Sequence, residues 1–246
     1  MWVVVPLGRW MRHWALGLAF LVILAYIPWM VGRIGAFGHG PAPPGDIVSS
    51  IPVSERWVAL AFADGPSTPA TTAILRDLAR YRAHASFFVV GLNLQRHPDW
   101  VKQAAALGND IETHTEGHIN LAIHSYSQDL RDLQQAVRSI ERVVGRRPHW
   151  LLPPYGAWSA DALKSARAAG LTLVVPSAGE GVRQDEQHPS QIVHQVLSHV
   201  RPGAIILLHD GPLSKPMVEA LPTILHLLRV DGYHVGSIPE LWRHRT

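Results

Sequence analysis

The run Thr113-His114-Thr115-Glu116-Gly117-His118 sets two imidazoles four residues apart, and in "AFADGPS" an apolar run stops on one carboxylate, Asp64. The spacing lets both imidazoles converge on one helical face or across a tight turn. Two histidines need a third ligand to hold a divalent metal well, and Asp64 is the candidate. Asp64 could instead cap the helix expected from Pro69, but five residues is farther than N-capping reaches. Thr115 stands where a helical zinc-protease motif places glutamate, so that motif is excluded. A second apolar run, "IILLHDG", ends on His209 and Asp210. An imidazole there either satisfies a backbone carbonyl or acts as a general acid. A metal in such a set polarises a carbonyl and lowers the pKa of a bound water to about 7.

These groups must be positioned by the surrounding elements. Apolar, β-prone runs occur at Trp57–Phe62, Ser86–Val90, Asp110–Thr113, His149–Leu152, Leu171–Val175, Ala204–Leu208 and Tyr233–Gly236. Helical periodicity fills the gaps at Pro69–Arg82, Pro98–Leu107, Ser127–Val144, Ser159–Ala169, Pro189–Val200 and Lys215–Val230. Strands alternating with helices predict a parallel α/β sheet, either open and doubly wound or closed as a barrel. In both, reactive groups collect at the C-terminal strand ends. Asp64, His114, His118, Pro153 to Gly156 and His209 all follow expected strands.

The 246 residues are 47% hydrophobic and 17% charged, enough for one sizeable core plus extras. Cysteine is absent, which excludes disulfides and thiolate metal sites and leaves Asp, Glu and fifteen histidines as ligands. The formal charge is +3 and the pI about 9.5. No basic stripe interleaved with aromatics exists, so no nucleic-acid partner is expected.

Residues 14–31, "WALGLAFLVILAYIPWMV", carry no charge and follow Arg9 and Arg12. As a helix they would reach about 27 Å, close to the ~30 Å hydrocarbon core of a bilayer. The basic residues on the amino side place the remainder of the chain on the extracytoplasmic side. The expectation is a single-pass anchor in the cell membrane; a cleaved signal peptide is the alternative, with secretion as its outcome. The organisation expected is a stub and anchor over 1–36, a Gly/Pro-rich spacer over 37–53 and one domain over 54–246.

Five stretches, "VALAFADGPS", "ASFFVVG", "GNDIETHTEGHINL", "LLPPYGAW" and "GAIILLHDG", together resemble the polysaccharide deacetylases, a family of metal-dependent carbohydrate esterases. The similarity spans most of residues 54–242. It implies a distorted (β/α)7-type barrel and N-acetylated glycan, of peptidoglycan or chitin type, as substrate. It further implies that Asp64, His114 and His118 hold a divalent metal, zinc with cobalt or nickel as alternatives. Thr115 would brace their loop. The backbone N–H of Tyr155 would hold the oxyanion, with Pro153, Pro154 and Gly156 shaping that wall. His209 would protonate the departing amine, and Leu207 would line the acetyl pocket.

The chain departs from the family pattern at its proton-handling positions. The family shows T-F-D-D-G-P where this sequence reads Ala-Phe-Ala63-Asp64-Gly-Pro, so Ala63 occupies the place of the general base. The arginine that braces that base falls on Leu152. The segment "VVPSAGEG" lacks the family's Trp and Asp, leaving Ser177 and Glu180 as the nearest polar groups. Three outcomes stay open: the metal acts without a side-chain base, Glu116, Glu112 or Asp210 substitutes, or the domain binds glycan without turnover. Glu116, inside the histidine loop, is the first choice among substitutes.

Overall fold

The computed structural model describes residues 47–179 and 188–246. Among the described residues the strands are β1 (Ile47–Val48), β2 (Trp57–Ala63), β3 (Ser86–Val89), β4 (Asp110–Thr113), β5 (Trp150–Leu151), β6 (Thr172–Val174), β7 (Ala178–Gly179), β8 (Ile205–His209) and β9 (His234–Gly236). The helices are α1 (Ala70–Tyr81), α2 (Gly91–Arg96), α3 (Pro98–Ala106), α4 (Tyr126–Val144), α5 (Ala160–Ala168), α6 (Pro189–His199), α7 (Lys215–Val230) and α8 (Ile238–Arg243).

Every ladder is parallel, in the order β1-β6-β5-β4-β3-β2-β8-β7, with β9 also on β2. Parallel neighbours require helical crossovers that cover the sheet, and strands buried on both faces read as continuous apolar runs. β2 is the example. Val58, Leu60 and Phe62 join the helix-side core, whereas Ala59, Ala61 and Ala63 face an inner cluster. These alanines leave room for Phe88, Trp150, Ile51, Ile238 and Leu241 to fill the concave side.

All seven expected strands and all six expected helices are present. The expected barrel closure is not: among the described residues no ladder joins β1 to β7, and the sheet is a curled half-barrel. β1 and β7 are two residues each, too short to carry a closing ladder. The chain after β1 instead crosses the foot of β8, where Ile51 N–H donates to the Gly203 carbonyl at 2.9 Å. Sequence pattern missed β1, β7, α2 and α8 because none exceeds six residues.

The expected stub and anchor, including residues 14–31, lie outside the described residues, as does the spacer up to residue 46. No helix among the described residues is long and apolar enough to cross a membrane. Residues 47–53, expected as spacer, take part in the fold: β1 pairs with β6, and Ile51 is buried in the inner core.

Candidate metal centre

Asp64 is the first residue beyond β2, with φ of 73°. That left-handed turn is uncommon for a residue with a side chain and swings the carboxylate over the strand ends. Asn93 Nδ2 secures it by donating to the Asp64 carbonyl at 2.9 Å. His114 stands immediately after β4, and its N–H continues the ladder to the Val89 carbonyl at 2.9 Å.

The loop to His118 turns through two further left-handed residues, Thr115 (φ 67°) and His118 (φ 55°). Thr115 braces it as expected: its N–H donates to Thr113 Oγ1 at 3.1 Å, and its Oγ1 accepts from Ile119 N–H at 3.2 Å. Asp132 on α4 grips the same loop, accepting from the N–H groups of Glu116 (2.8 Å) and Gly117 (3.0 Å). Such conformations cost about 1–3 kcal/mol each and persist only where surroundings over-determine them. Here they serve to aim ligands.

The three candidate ligands converge, each offering an atom within 4.8 Å of the others. Asp64 Oδ1 lies 3.2 Å from His114 Nε2 and 3.1 Å from His118 Nε2. His114 Nδ1 is 2.7 Å from the Leu152 carbonyl oxygen. A carbonyl only accepts, so the His114 proton sits on Nδ1 and its Nε2 presents a lone pair. Burial favours this neutral ring and lowers the His114 pKa. Burial pushes the Asp64 carboxyl up, but positive charge beside it, a proton on the facing imidazoles or a cation in its place, holds the group ionised, well below the usual carboxylate range.

A lone pair and a carboxylate oxygen 3.2 Å apart repel unless a cation lies between them. The donor set therefore fits a divalent metal, with an outer partner on His114 that fixes its tautomer as in known metal sites. His118 Nδ1 also has an outer partner, the Tyr155 hydroxyl at 3.1 Å, which can donate or accept.

Of the other expected site residues, Tyr155 and His209 reach this group. Tyr155 (φ 61°) lies in the short turn Pro154–Gly156 after β5, between extended Pro153 and left-handed Gly156. His209 ends β8, in register with Ala63, and its Nε2 is 4.0 Å from Asp64 Oδ2. Leu207 packs on the inner cluster that holds Ala63 and Leu152. Ala63 and Leu152, the positions at which the resemblance implies a base and its arginine, are thus parts of one apolar cluster.

The expected substitute bases face elsewhere. Glu116, the first choice, turns toward the helices: Oε1 accepts from Gln95 Nε2 and from Ser139 Oγ at 3.3 Å, while Oε2 presses on Gly91. A glutamate within the loop is drawn outward because the histidines occupy the inner side. Glu112 Oε2 accepts from the N–H groups of His149 and Trp150, each at 2.7 Å, and so starts β5. Asp210 is buried, accepts from Thr71 Oγ1 at 2.8 Å, and packs against Gly65. Burial pushes its carboxyl up to about 7, against the hydrogen bond from Thr71. Ser177 is half-buried with Oγ enclosed and lacking a hydrogen-bond partner among the described residues; Glu180 lies outside them.

Sequence reading did not reach the Leu152 carbonyl, the Tyr155 hydroxyl, Asn93 or Asp132. A main-chain acceptor has no residue-type signature. Asp132 did carry a signal, as an acid on the helix following the loop.

A curled parallel sheet with an Asp-His-His group at its C-terminal rim defines an α/β protein with a site that fits a metal ion. The chain belongs to the polysaccharide deacetylase family, whose description matches residues 50–174. It is 32% identical over 206 residues to a peptidoglycan-N-acetylglucosamine deacetylase of Bacillus cereus, covering 82% of this chain and 96% of that protein. The crystal structure of a peptidoglycan N-acetylglucosamine deacetylase bound to an N-oxidanyl-benzamide superposes with a TM-score of 0.76 at 29% identity, covering 80% of this chain and 93% of that one. A CE4 family pseudoenzyme from Bacillus anthracis gives 0.74 at 23% identity, covering 82% and 69%, a likeness of fold.

Proposed function

We propose that this chain is a metal-dependent deacetylase of N-acetylated cell-envelope glycan, working at a reduced rate because the base position is Ala63. The convergence of Asp64 Oδ1 with the two imidazole Nε2 atoms carries this reading. A divalent ion, zinc by preference with cobalt or nickel acceptable, would be held by Asp64, His114 and His118 and would supply Lewis acidity and an acidified water. The chain's own residues supply the rest. The Tyr155 N–H stabilises the oxyanion on the former carbonyl oxygen, between Pro153, Pro154 and Gly156. His209 gives a proton to the nitrogen as the C–N bond breaks, releasing acetate and a free amine. Leu207 contacts the acetyl methyl.

Ala63 cannot take the proton of the attacking water. A positioned general base contributes about 10² to 10⁴ in rate, and the proton must leave through solvent here. Glu112, Glu116 and Asp210 are each committed to other contacts, which supports slow turnover over a relocated base. The apolar cluster around Ala63 and Leu152 also favours a second reading, a glycan-binding domain without turnover. Residues 14–31 would anchor the domain in the membrane on its extracytoplasmic side.

Acetate release from N-acetylated glucosamine oligomers separates the two readings. Release abolished by chelator and restored by zinc supports the deacetylase; saturable glycan binding with no metal-restored release supports the binder.

A further inference from the structure

At the pole opposite the metal centre lies a second concavity of about 320 Å³. Its walls are the strand beginnings and the segments that lead into them: Trp57 opening β2, His234 opening β9, Arg82 and His84 between α1 and β3, and Arg229 near the end of α7. Since every strand is parallel, these residues sit at the end of the sheet away from Asp64, His114 and His118. The deacetylase reading leaves this cavity without a role.

Its charge is one-sided. Arg82 and Arg229 contribute guanidinium groups, and neither side chain has a hydrogen-bond or ion-pair partner among the described residues. The cavity has a single carboxylate, Glu240, already engaged by His84 Nδ1 at 2.9 Å and by Ser237 N–H at 2.8 Å. Two arginines lining one cavity whose only lining carboxylate is already engaged make it electropositive, and guanidinium geometry suits a tetrahedral oxyanion bidentately. Arg56 adds a cation beside the lining residue Tyr233, its guanidinium 5.6 Å from the ring centre, while Glu55 nearby is engaged by Trp57 Nε1 at 3.1 Å. Ala83, Leu225 and Val235 add apolar lining beside these polar groups.

We propose that this cavity binds a phosphate group. Two sources share that chemistry: a soluble glycerol phosphate, and the headgroup of an anionic phospholipid. The second suits the place in the fold, because β1 runs parallel to the other strands and so begins at this same pole, and residues 14–31 precede it in the sequence.

The test is calorimetric titration of the full chain in neutral detergent with inorganic phosphate and with glycerol phosphate. Saturable binding is expected. Arg82→Gln and Arg229→Gln should each weaken it about tenfold or more, the usual effect of removing a charged hydrogen bond. Zinc-dependent acetate release should not change, since neither residue touches the metal pole. Micelles doped with phosphatidylglycerol that displace phosphate assign the headgroup; retained phosphate binding without displacement assigns the soluble source. Both outcomes support the site. Absence of phosphate binding in the wild-type chain overturns the proposal. So does unchanged affinity in a double variant whose circular dichroism and melting temperature match the wild type; both arginines are exposed, so it is expected to fold.

Discussion

The Leu152 carbonyl oxygen lies 2.7 Å from His114 Nδ1, while the Leu152 side chain joins Ala63 in the inner apolar cluster. One residue thus orients the candidate ligand His114 through its backbone and packs the cluster around Ala63 through its side chain. A backbone contact does not depend on the side chain, which is how the His114 geometry coexists with apolar residues at positions 63 and 152.

Metal binding should depend on the three converging side chains. His114→Ala and Asp64→Asn should each lower zinc affinity by at least about 100-fold, read by metal analysis after dialysis and by competition with a chromophoric chelator. Stoichiometric zinc retained by His114→Ala would place the metal elsewhere.

Tyr155 is 62% exposed, so Tyr155→Phe should hardly move the melting temperature. It removes the hydroxyl from His118 Nδ1, and loss of such an outer partner typically costs about 10- to 100-fold in metal affinity. Equal zinc affinities in the two proteins would show that the hydroxyl does not orient the ring.

Leu152→Arg alone should destabilise the fold. With Ala63 opposite, the new guanidinium has no carboxylate partner in a buried site, and an uncompensated buried charge costs about 3–5 kcal/mol. A melting temperature within 2 °C of wild type, a margin of about 1 kcal/mol at this size, would contradict this.

Asp129 gives a pH prediction away from the metal. It is fully buried, neither carboxylate oxygen has a hydrogen-bond partner among the described residues, and His124 Nδ1 stands 3.9 Å away. Burial, then Asp132 and Asp161, push its carboxyl from 3.8 up to about 7. The folded state therefore holds this proton between about pH 4 and 7 when the unfolded chain has released it, so stability falls as pH rises through that window. Asp129→Asn should flatten this part of the curve, by an amount on the order of 2–4 kcal/mol between pH 4 and 8. Parallel stability curves for variant and wild type would refute the assignment.

Much of the site is legible in the sequence because apolar strands end on their reactive groups, as Asp64 and His209 do. The ligand trio follows from that rule and from the spacing of His114 and His118. What stays hidden depends on direction. Glu116 has a suitable residue type and loop position, yet its side chain leaves toward Gln95 and Ser139. No pattern records that choice, since it is set by which side of the loop the left-handed residues Thr115 and His118 give to the histidines. Barrel closure likewise turns on two-residue edge strands, too short to leave a periodicity.

The central claim is that the metal half of the site is intact and only the base half is missing. Its most direct test is the rate of acetate release from an N-acetylglucosamine oligomer by three zinc-loaded proteins: wild type, Ala63→Asp/Leu152→Arg, and that double variant with His114→Ala. Restoring the carboxylate with its guanidinium should raise the rate by about 10² or more, and removing His114 should abolish the gain. Equal rates for the wild type and the double variant, both folded and zinc-loaded, would contradict the account, because loss of the base would then not be what limits this protein.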